Sequence, residues 1–357
     1  MTTDIFLMSK NEILARINFD TMFFEVYKQN LMPFALRGAN VNLFTVRDWL
    51  IDRTLNLSRS NAKTIINVMG FNQNDRLSMC ITCKALSLTD CYWIKSEGST
   101  DTWEKVNLYR NSLSSAIAKI ALTGEYISIT GRPRTPELTN GGSYAKCWKR
   151  RKDGVYLYKS GSLQGNGKEH LIEVLCSDLL DSLDVEHIRY ILTETDGREV
   201  SCCKNMTTED KSICNMQYIY GYYSRNGKLA ELESFLKADS GYFKMFIVDY
   251  LLNNTDRHTG NWGVYFDANS GKIIKLHPLF DHNLALDPSK NIPSLIIQGK
   301  TLKETAFYAK RHYNLDVMNL IKLLKSKAIQ KRFFDIFGGY TEYNAMLNRI
   351  DDYLSWK

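Results

Sequence analysis

The chain has 357 residues, with 46 Lys and Arg against 39 Asp and Glu, which gives a formal net charge of +7. Hydrophobic residues make up 44% and charged residues 24%. These values are typical of globular proteins, so disorder or a coiled coil over the whole chain is excluded, and the length corresponds to about two or three domains.

The sequence contains neither a stretch that predicts a membrane span nor one that predicts a secretion signal. Apolar stretches such as residues 244–252 are interrupted by charge well before the roughly 18 residues that a span needs. The N-terminus, MTTDIFLMSKNE, lacks a basic segment followed by an apolar one and a small-residue cleavage site. We therefore expect a cytoplasmic protein without a membrane span, while secretion by a route without a cleavable signal stays open.

Cysteine content and net charge exclude little more. Eight cysteines are too few and too scattered for a disulfide scaffold, and Cys80 and Cys83 form a CxxC without the second pair that a zinc ribbon needs. The charge of +7 suits an anionic ligand such as a nucleotide as well as a nucleic acid. Neither feature identifies a function alone.

Residues 45–54 and 58–69 predict two helices joined by a short turn, with Ser58 as the N-cap of the second. This outline is compatible with a helix–turn–helix, but neither helix has a basic recognition face. We therefore expect two amphipathic helices that pack together and no direct nucleic-acid binding. A transcriptional regulator that uses these helices is the alternative.

The chain divides into three parts in its predicted secondary structure. An N-terminal accessory region of α/β character covers residues 1–125, and residues 86–111 within it predict an irregular aromatic layer. Residues 126–205 predict a small sheet with one helix, with strands at 126–130, 144–150, 155–159, 188–194 and 198–204 and the helix at 168–182. Residues 206–357 are mostly helical, with predicted helices at 228–236, 242–253, 315–325 and 342–354 and a strand–turn–strand at 262–275. A small sheet with one helix before a larger helical lobe predicts an α+β, two-lobed fold like that of protein kinases.

Residues 253–283 carry the most informative motif, NNTDRHTGNWGVYFDANSGKIIKLHPLFDHN. Asp256 is followed five residues later by Asn261, then by a predicted hairpin, then by Asp281. Phosphoryl transfer needs a carboxylate that orients the acceptor hydroxyl and takes its proton, together with oxygen ligands for Mg²⁺. We predict Asp256 for the first role and Asn261 and Asp281 for the second.

Upstream segments predict the nucleotide-binding partners of that site. Residues 139–146, TNGGSYAK, form a Gly-bearing turn between strands, and its backbone N–H groups can bind phosphate oxygens. Lys159 ends the next strand and Glu173 lies on the following helix. A Lys and a Glu in this order can form the ion pair that positions the α- and β-phosphates.

The run from residue 139 to residue 283 resembles the HipA-like serine/threonine kinases, a family that includes persister toxins of toxin–antitoxin modules and secreted bacterial kinases of the CtkA type. The resemblance implies a HipA-like kinase fold, ATP and Mg²⁺ as cofactors, a protein substrate of unknown identity, and an antitoxin or DNA-binding protein as a partner. It also implies autophosphorylation in the phosphate loop, at Thr139 or at Ser143. The implied nucleotide-binding positions are Thr139, Asn140, Gly141, Gly142, Ser143, Lys146 and Lys159.

The same resemblance assigns the ion pair and the reactive positions. It places the strand lysine at Lys159 and the helix glutamate at Glu173, with Glu169 as a second candidate because the register of the helix is not fixed by the motif. The catalytic Asp and the two metal ligands are implied to be Asp256, Asn261 and Asp281.

Two further residues are expected at the nucleotide site, and two other functions are compatible with the motif, one enzymatic and one not. Chain order places adenine near residues 203–206, which makes Cys203 a candidate contact, and His258 is expected to orient the catalytic loop by hydrogen bonding. Arg257 and His258 with Asn261 also match the DRHxxN loop of phosphatidylinositol-kinase-like enzymes, so a lipid kinase is one alternative. A catalytically inactive nucleotide-binding module is the other.

Overall fold

The computed structural model describes residues 4–38, 40–139, 141–162, 167–290 and 294–356. Within these ranges the chain forms eleven strands in three sheets, together with thirteen α-helices. Every strand pairing in the sheets is antiparallel. The mixture of helix and sheet agrees with the predicted α+β class.

The N-terminal region combines a four-stranded sheet with five helices. Its strands, in the spatial order β3-β2-β1-β4, are β1 Ile5–Ser9, β2 Glu12–Asn18, β3 Phe23–Val26 and β4 Tyr92–Ser96. Its helices are α1 Leu43–Asp52, α2 Ala62–Val68, α3 Arg76–Thr82, α4 Trp103–Val106 and α5 Ser115–Thr123. The aromatic segment at 86–111, expected to be irregular, contains β4 and α4. The large aromatic side chains of β4 pack well on the pleated surface of a sheet.

The predicted pair of packed helices at 45–54 and 58–69 is not present as such. Helix α2 begins at Ala62 after Asn61, and Ser58 instead donates its hydroxyl to Asn56 Oδ1 at 2.9 Å, so Ser58 is not the N-cap. Leu50 of α1 and Ile65 of α2 belong to separate hydrophobic clusters. Helix α1 packs mainly against α3 and helix α2 against α5, so the two helices are not the mutually packed pair that the sequence predicted.

The second sheet has the spatial order β5-β6-β8-β7. One helix lies in the chain between the first two of these strands and the last two. Its elements are β5 Lys146–Arg151, β6 Gly154–Lys159, α6 Glu169–Asp181, β7 Ile191–Thr195 and β8 Arg198–Lys204. These bounds confirm the prediction of a small sheet with one helix. The strand expected at 126–130 is absent, since that exposed segment has no pairing partner among the described residues.

The C-terminal part places a three-stranded sheet, in the order β11-β10-β9, among helices. Its strands are β9 Lys211–Asn215, β10 Gly263–Asp267 and β11 Ile273–Leu276. Its helices are α7 Met216–Arg225, α8 Leu229–Ala238, α9 Ser240–Leu251, α10 Leu302–Lys310, α11 Met318–Leu324, α12 Lys327–Phe337 and α13 Thr341–Ser355. The sequence pattern missed β9, α7, α10 and α12.

One hydrophobic cluster connects all three parts of the chain. Leu14 of β2, Leu175 of α6 and Phe246 of α9 are all fully buried members of it. The helix that carries Glu173 therefore shares a core with the helix that leads into the Asp256 loop. The boundaries proposed near residues 125 and 205 remain predictions.

Candidate active site

Lys159 and Glu173 form a buried ion pair between the second sheet and α6. Lys159 is the last residue of β6, and its Nζ donates to Glu173 Oε1 at 2.6 Å. Ser201, which lies opposite Lys159 on β8, donates its hydroxyl to Glu173 Oε2 at 2.9 Å. Both carboxylate oxygens of Glu173 are therefore engaged, and the side chain is held in one orientation toward Lys159.

Glu169, the alternative partner, faces a different group. Its Oε2 accepts the backbone N–H of Ser162 at 2.9 Å and its Oε1 accepts the Ser162 hydroxyl at 2.6 Å. One turn of α6 separates the two glutamates, and of these two it is Glu173 that contacts Lys159. The register of α6, which the sequence left open, therefore pairs Lys159 with Glu173.

Asp281 meets the same lysine from the C-terminal part of the chain. Lys159 Nζ donates to Asp281 Oδ1 at 2.9 Å. Burial opposes the charge of Asp281, but the nearby ammonium groups of Lys159 and Lys146 outweigh it and lower the pKa of this carboxyl to about 2. Its backbone has φ of 63°, a left-handed conformation that Asp adopts more readily than most residues. Asp281 is therefore a fixed carboxylate at neutral pH.

The loop after α9 carries Asp256 and Asn261. Asn261 donates its amide Nδ2–H groups to the Asp256 backbone oxygen at 2.9 Å and to Asp256 Oδ2 at 3.3 Å. Asp256 is half-buried, and burial together with the charge of Asp281 raises the pKa of its carboxyl, against the opposing effect of His258. Because the amide N–H groups of Asn261 face Asp256, the amide oxygen of Asn261 remains available to bind a cation.

Arg257 and His258 hold this loop in place in different ways. Arg257 is buried and its Nη1 donates to the backbone oxygens of Asn261 and Phe280, each at 2.8 Å. It thereby connects the Asp256 loop directly to the segment that ends in Asp281. His258 is exposed, and its Nδ1 accepts the backbone N–H of Gly260 at 3.0 Å, which is a loop-orienting contact.

The described part of the predicted phosphate loop, residues 139 and 141–146, lies against the N-terminal region. Thr139 ends a 3-10 turn, Glu137–Thr139, and donates its hydroxyl to the Leu86 backbone oxygen at 2.6 Å. Ser143 is exposed, and its backbone oxygen accepts the Ser60 N–H at 2.9 Å. Asn140 lies outside the described residues. Neither long-range contact could be predicted from local sequence, since the partners are 53 and 83 residues away.

Gly142 and Lys146 form the inner side of this loop. Gly142 has φ of 84°, and a Cβ at this position would collide with Lys146 Nζ, so only glycine fits without displacing the lysine. Gly141 is exposed with open space around it. The loop thus brings an ammonium group directly beneath its own backbone.

The Nζ of Lys146 has no hydrogen-bond or ion-pair partner among the described residues. Burial, with help from the positive charges of Lys159 and Arg59, lowers the pKa of Lys146 to about 7, against the opposing effect of Asp281. The protonated form of this buried amine, with no directly bonded partner and beside a glycine loop, is suited to an anionic group such as a phosphate. The position of the Lys146 amine beside this loop is therefore compatible with the phosphates of a nucleotide.

Cys203 is buried at the back of the cleft. It lies on β8 opposite Leu157 and packs with Val174 and Tyr190, whose hydroxyl is 3.4 Å from Lys159 Nζ. Burial raises the pKa of the Cys203 thiol to about 12, so it is a neutral packing group. Adenine binding along residues 203–206 remains a prediction.

The structure therefore brings six of the predicted residues together in one cluster: Lys146, Lys159, Glu173, Asp281, Asp256 and Asn261. Sequence analysis missed Ser201 and Asp249, which support Glu173 and Arg257 respectively. No group of three or more His, Cys, Asp or Glu side chains arranged to hold a metal occurs in the described residues. One carboxylate and one amide would not form such a group, and their hard oxygen atoms fit Mg²⁺.

No helix among the described residues is long and apolar enough to cross a membrane. No protein-family model matches the chain. Among curated proteins, the serine/threonine-protein kinase CtkA of Helicobacter pylori strain J99 is 28% identical over 131 residues, which cover 32% of this chain and 40% of CtkA. The match thus spans two fifths of the length of that relative.

Two solved structures resemble the chain. HipA of Shewanella oneidensis MR-1, from a toxin–antitoxin complex with HipB and operator DNA, aligns with a TM-score of 0.55 at 10% identity over 98% of this chain and 96% of HipA. The proinflammatory kinase CtkA of Helicobacter pylori aligns with a TM-score of 0.43 at 15% identity over 60% of this chain and 94% of CtkA. The HipA alignment shows that the fold is HipA-like, which confirms the predicted kinase-like fold class.

Proposed function

From the similarities to CtkA and HipA, which support the HipA-like kinase family, we propose that this chain is an ATP- and Mg²⁺-dependent serine/threonine protein kinase. The observation that carries the proposal is the position of Lys159 Nζ, 2.6 Å from Glu173 and 2.9 Å from Asp281. A lysine held between a helix glutamate and an aspartate of the other lobe is the arrangement that binds α- and β-phosphates beside the metal in protein kinases.

Asp256 is the residue proposed to act on the acceptor. Its carboxylate orients a Ser or Thr hydroxyl and takes the proton as the hydroxyl oxygen bonds to the γ-phosphorus and the bond from that phosphorus to the β–γ bridging oxygen breaks, releasing ADP. Burial raises the pKa of Asp256, which makes the carboxylate a better proton acceptor than an exposed one. Asn261 fixes the orientation of this carboxylate through its amide N–H group.

The cofactors follow from the donor atoms in the cleft. Asp281 and the amide oxygen of Asn261 would hold Mg²⁺, which neutralises charge on the β- and γ-phosphates when it is bound. Lys159 would bind the α- and β-phosphates, and Lys146 with the backbone N–H groups of Gly141 and Gly142 would cover the remaining phosphate oxygens.

Autophosphorylation in the phosphate loop belongs to the same proposal. Thr139 must first release its hydroxyl from the Leu86 carbonyl, whereas the Ser143 side chain is exposed in this conformation. Phosphate at either position would bring negative charge to the loop that is proposed to cover ATP. We therefore expect loop phosphorylation to weaken ATP binding.

The acceptor and the partner protein are proposed here by class and not by identity. We propose a protein as the acceptor and the cytoplasm as the site of action. The HipA whose fold this chain shares was determined with HipB and operator DNA, and we extend to this chain only an antitoxin-like or DNA-binding partner protein. The chain's own binding to DNA is not part of the proposal.

The test is incubation of the purified chain with γ-³²P-labelled ATP and Mg²⁺, beside Asp281→Ala, followed by mass mapping of any phosphosite. Label on Thr139 or Ser143 in the parent and none in Asp281→Ala would support the kinase. A parallel reaction with phosphatidylinositol vesicles tests the lipid-kinase alternative. Measurable ATP binding without label on protein or lipid would overturn the enzyme in favour of an inactive nucleotide-binding module.

A further inference from the structure

A groove of about 530 Å³ opens beside the proposed catalytic cleft. It runs between the start of α6, the segment that follows Asp281, and the end of α12 with the start of α13. Its lining includes Tyr144, Ile172, Asn283, Leu284, Phe337 and Glu342. None of the cleft residues Asp256, Asn261 and Lys159 lines it, so it is a neighbouring space.

Two of the lining residues, Tyr144 and Asn283, lie close in the chain to residues of the proposed site. Tyr144 precedes Lys146 by two residues in the chain. Burial, together with the negative charges of Glu169, Asp256 and Asp281, raises the pKa of the Tyr144 hydroxyl. At the opposite wall, Asn283 follows Asp281 by two residues. The groove is therefore bounded by the chain segments that carry Lys146 and Asp281.

Asn283 offers an unused hydrogen-bond acceptor to such a segment. Its side chain is 5% exposed, and its Oδ1 is buried with no donor among the described residues. A buried amide oxygen without a donor costs free energy, and a ligand N–H group would recover it. The backbone of an extended peptide presents an N–H group at every residue except proline.

Among the described residues, the lining also provides an apolar floor, two lysines (Lys168 and Lys290) that bind other groups of the chain, and the carboxylate of Glu342. Ile172 and Ile336 are buried, and Phe337 is half-buried beside them. The groove lysine at position 290 pairs with Asp287. Glu342 in the first turn of α13 has no hydrogen-bond or ion-pair partner in the described part of the chain.

We propose that this groove binds the acceptor segment of the protein substrate as an extended peptide, with an apolar side chain on Ile172 and Phe337 and a Lys or Arg side chain at Glu342. The backbone of that peptide donates an N–H group to Asn283 Oδ1. The proposal rests on the proposed kinase function, and it adds the substrate class: a Ser or Thr flanked by one apolar and one basic residue.

The experiment uses a library of peptides with one central Ser or Thr, in which each flanking position is fixed in turn as Leu, Lys, Arg, Asp or Glu. The full-length chain and Glu342→Lys phosphorylate the library with γ-³²P-labelled ATP and Mg²⁺. Glu194→Lys is the matched control, because Glu194 is an exposed acid on the edge strand β7, away from the groove. Fluorescence anisotropy of the preferred peptide, without ATP, reports binding independently of transfer.

The parent and Glu194→Lys should prefer a basic residue at one flanking position by about threefold or more. Glu342→Lys should lose or reverse this preference at that same position and bind the basic peptide more weakly by a similar factor. Asn283→Ala should weaken every peptide alike, because it removes a contact to the backbone.

Two failures are distinguishable. If the parent labels peptides and its preference is identical in Glu342→Lys, the groove assignment is overturned while the kinase stands. If the parent labels no peptide and no protein, the proposed function itself fails, and the groove assignment falls with it.

Discussion

Arg257 and Asp249 form an ion pair beneath the Asp256 loop, with Arg257 Nε 3.1 Å from Asp249 Oδ2 and each side chain 2% exposed. Asn254 donates its amide to the same carboxylate at 2.8 Å, and Arg257 Nη2 donates to His282 Nε2 at 2.8 Å. Helix α9, the Asp256 loop and the Asp281 segment are thus joined by one guanidinium. The position of Asp256 relative to Asp281 depends on this buried pair.

Arg257→Met should therefore destabilise the fold strongly. Removing one partner leaves Asp249 as an uncompensated buried charge, which costs about 3–5 kcal/mol of unfolding free energy. Urea denaturation of parent and variant measures the difference. Arg332→Met is the control, because Arg332 and its partner Asp178 are 35% and 23% exposed and such a pair contributes about 1 kcal/mol or less. Equal stability of Arg257→Met and the parent would contradict the structural role.

Asp256→Asn should leave the fold intact and slow phosphoryl transfer by about 10²–10⁴, the usual range for loss of a positioned general base. The amide keeps the shape of the carboxylate and cannot take the proton. Initial rates of peptide labelling, with circular dichroism as the folding check, make the comparison. Asp184→Asn is the control, since the Asp184 side chain is 92% exposed and lies outside the cleft. Retention of parent-like transfer in Asp256→Asn would remove Asp256 from the mechanism.

Glu173→Gln should weaken ATP binding by about tenfold, because Lys159 loses one of its two carboxylate partners and its fixed position. Glu169→Gln should weaken it by less than about threefold, since Glu169 binds Ser162 instead. Fluorescent-nucleotide titration gives both affinities under one condition. A larger loss in Glu169→Gln than in Glu173→Gln would reverse the assignment of the pair.

The local part of the site could be predicted from the sequence. Asp256 and Asn261 lie five residues apart on one loop, and the hairpin that leads back to Asp281 is signalled by its own turn and strand residues. Strand β6 and helix α6 follow from clear periodicity, and they limit the glutamate to a few positions. Such information is contained within about thirty residues of chain.

The long-range part could not be predicted. Ser201 reaches Glu173 only through the register of β6 on β8, and Ser60 reaches the phosphate loop only through the packing of the N-terminal region. Helix α7 contains several Tyr residues and a Gly, which have low helix propensity, and it is stabilised by packing against Phe34 and its neighbours. The contacts of Ser201 and Ser60 and the formation of α7 therefore depend on tertiary packing, which the local sequence does not reveal.

Lys146 predicts a pH dependence whose sign follows from its lowered pKa. Its pKa is about 7 in the folded chain and 10.5 ordinarily, so between these values the unfolded state binds more protons and the unfolding free energy rises with pH. Below pH 7 both states are protonated and this contribution is flat. Urea denaturation of the nucleotide-free chain from pH 6 to pH 9.5 should show the rise, and Lys146→Met should reduce it.

ATP affinity should fall as pH rises, whereas the unfolding free energy should rise. A phosphate pairs with the protonated form of Lys146, so affinity should fall several-fold as pH rises from 7 to 9, and binding in that range should take up a proton. Isothermal titration calorimetry in two buffers of different ionisation enthalpy measures the proton uptake at constant free Mg²⁺. Lys146→Met removes the group and should abolish the uptake. Equal proton uptake by the parent and Lys146→Met would show that Lys146 does not contact the phosphates.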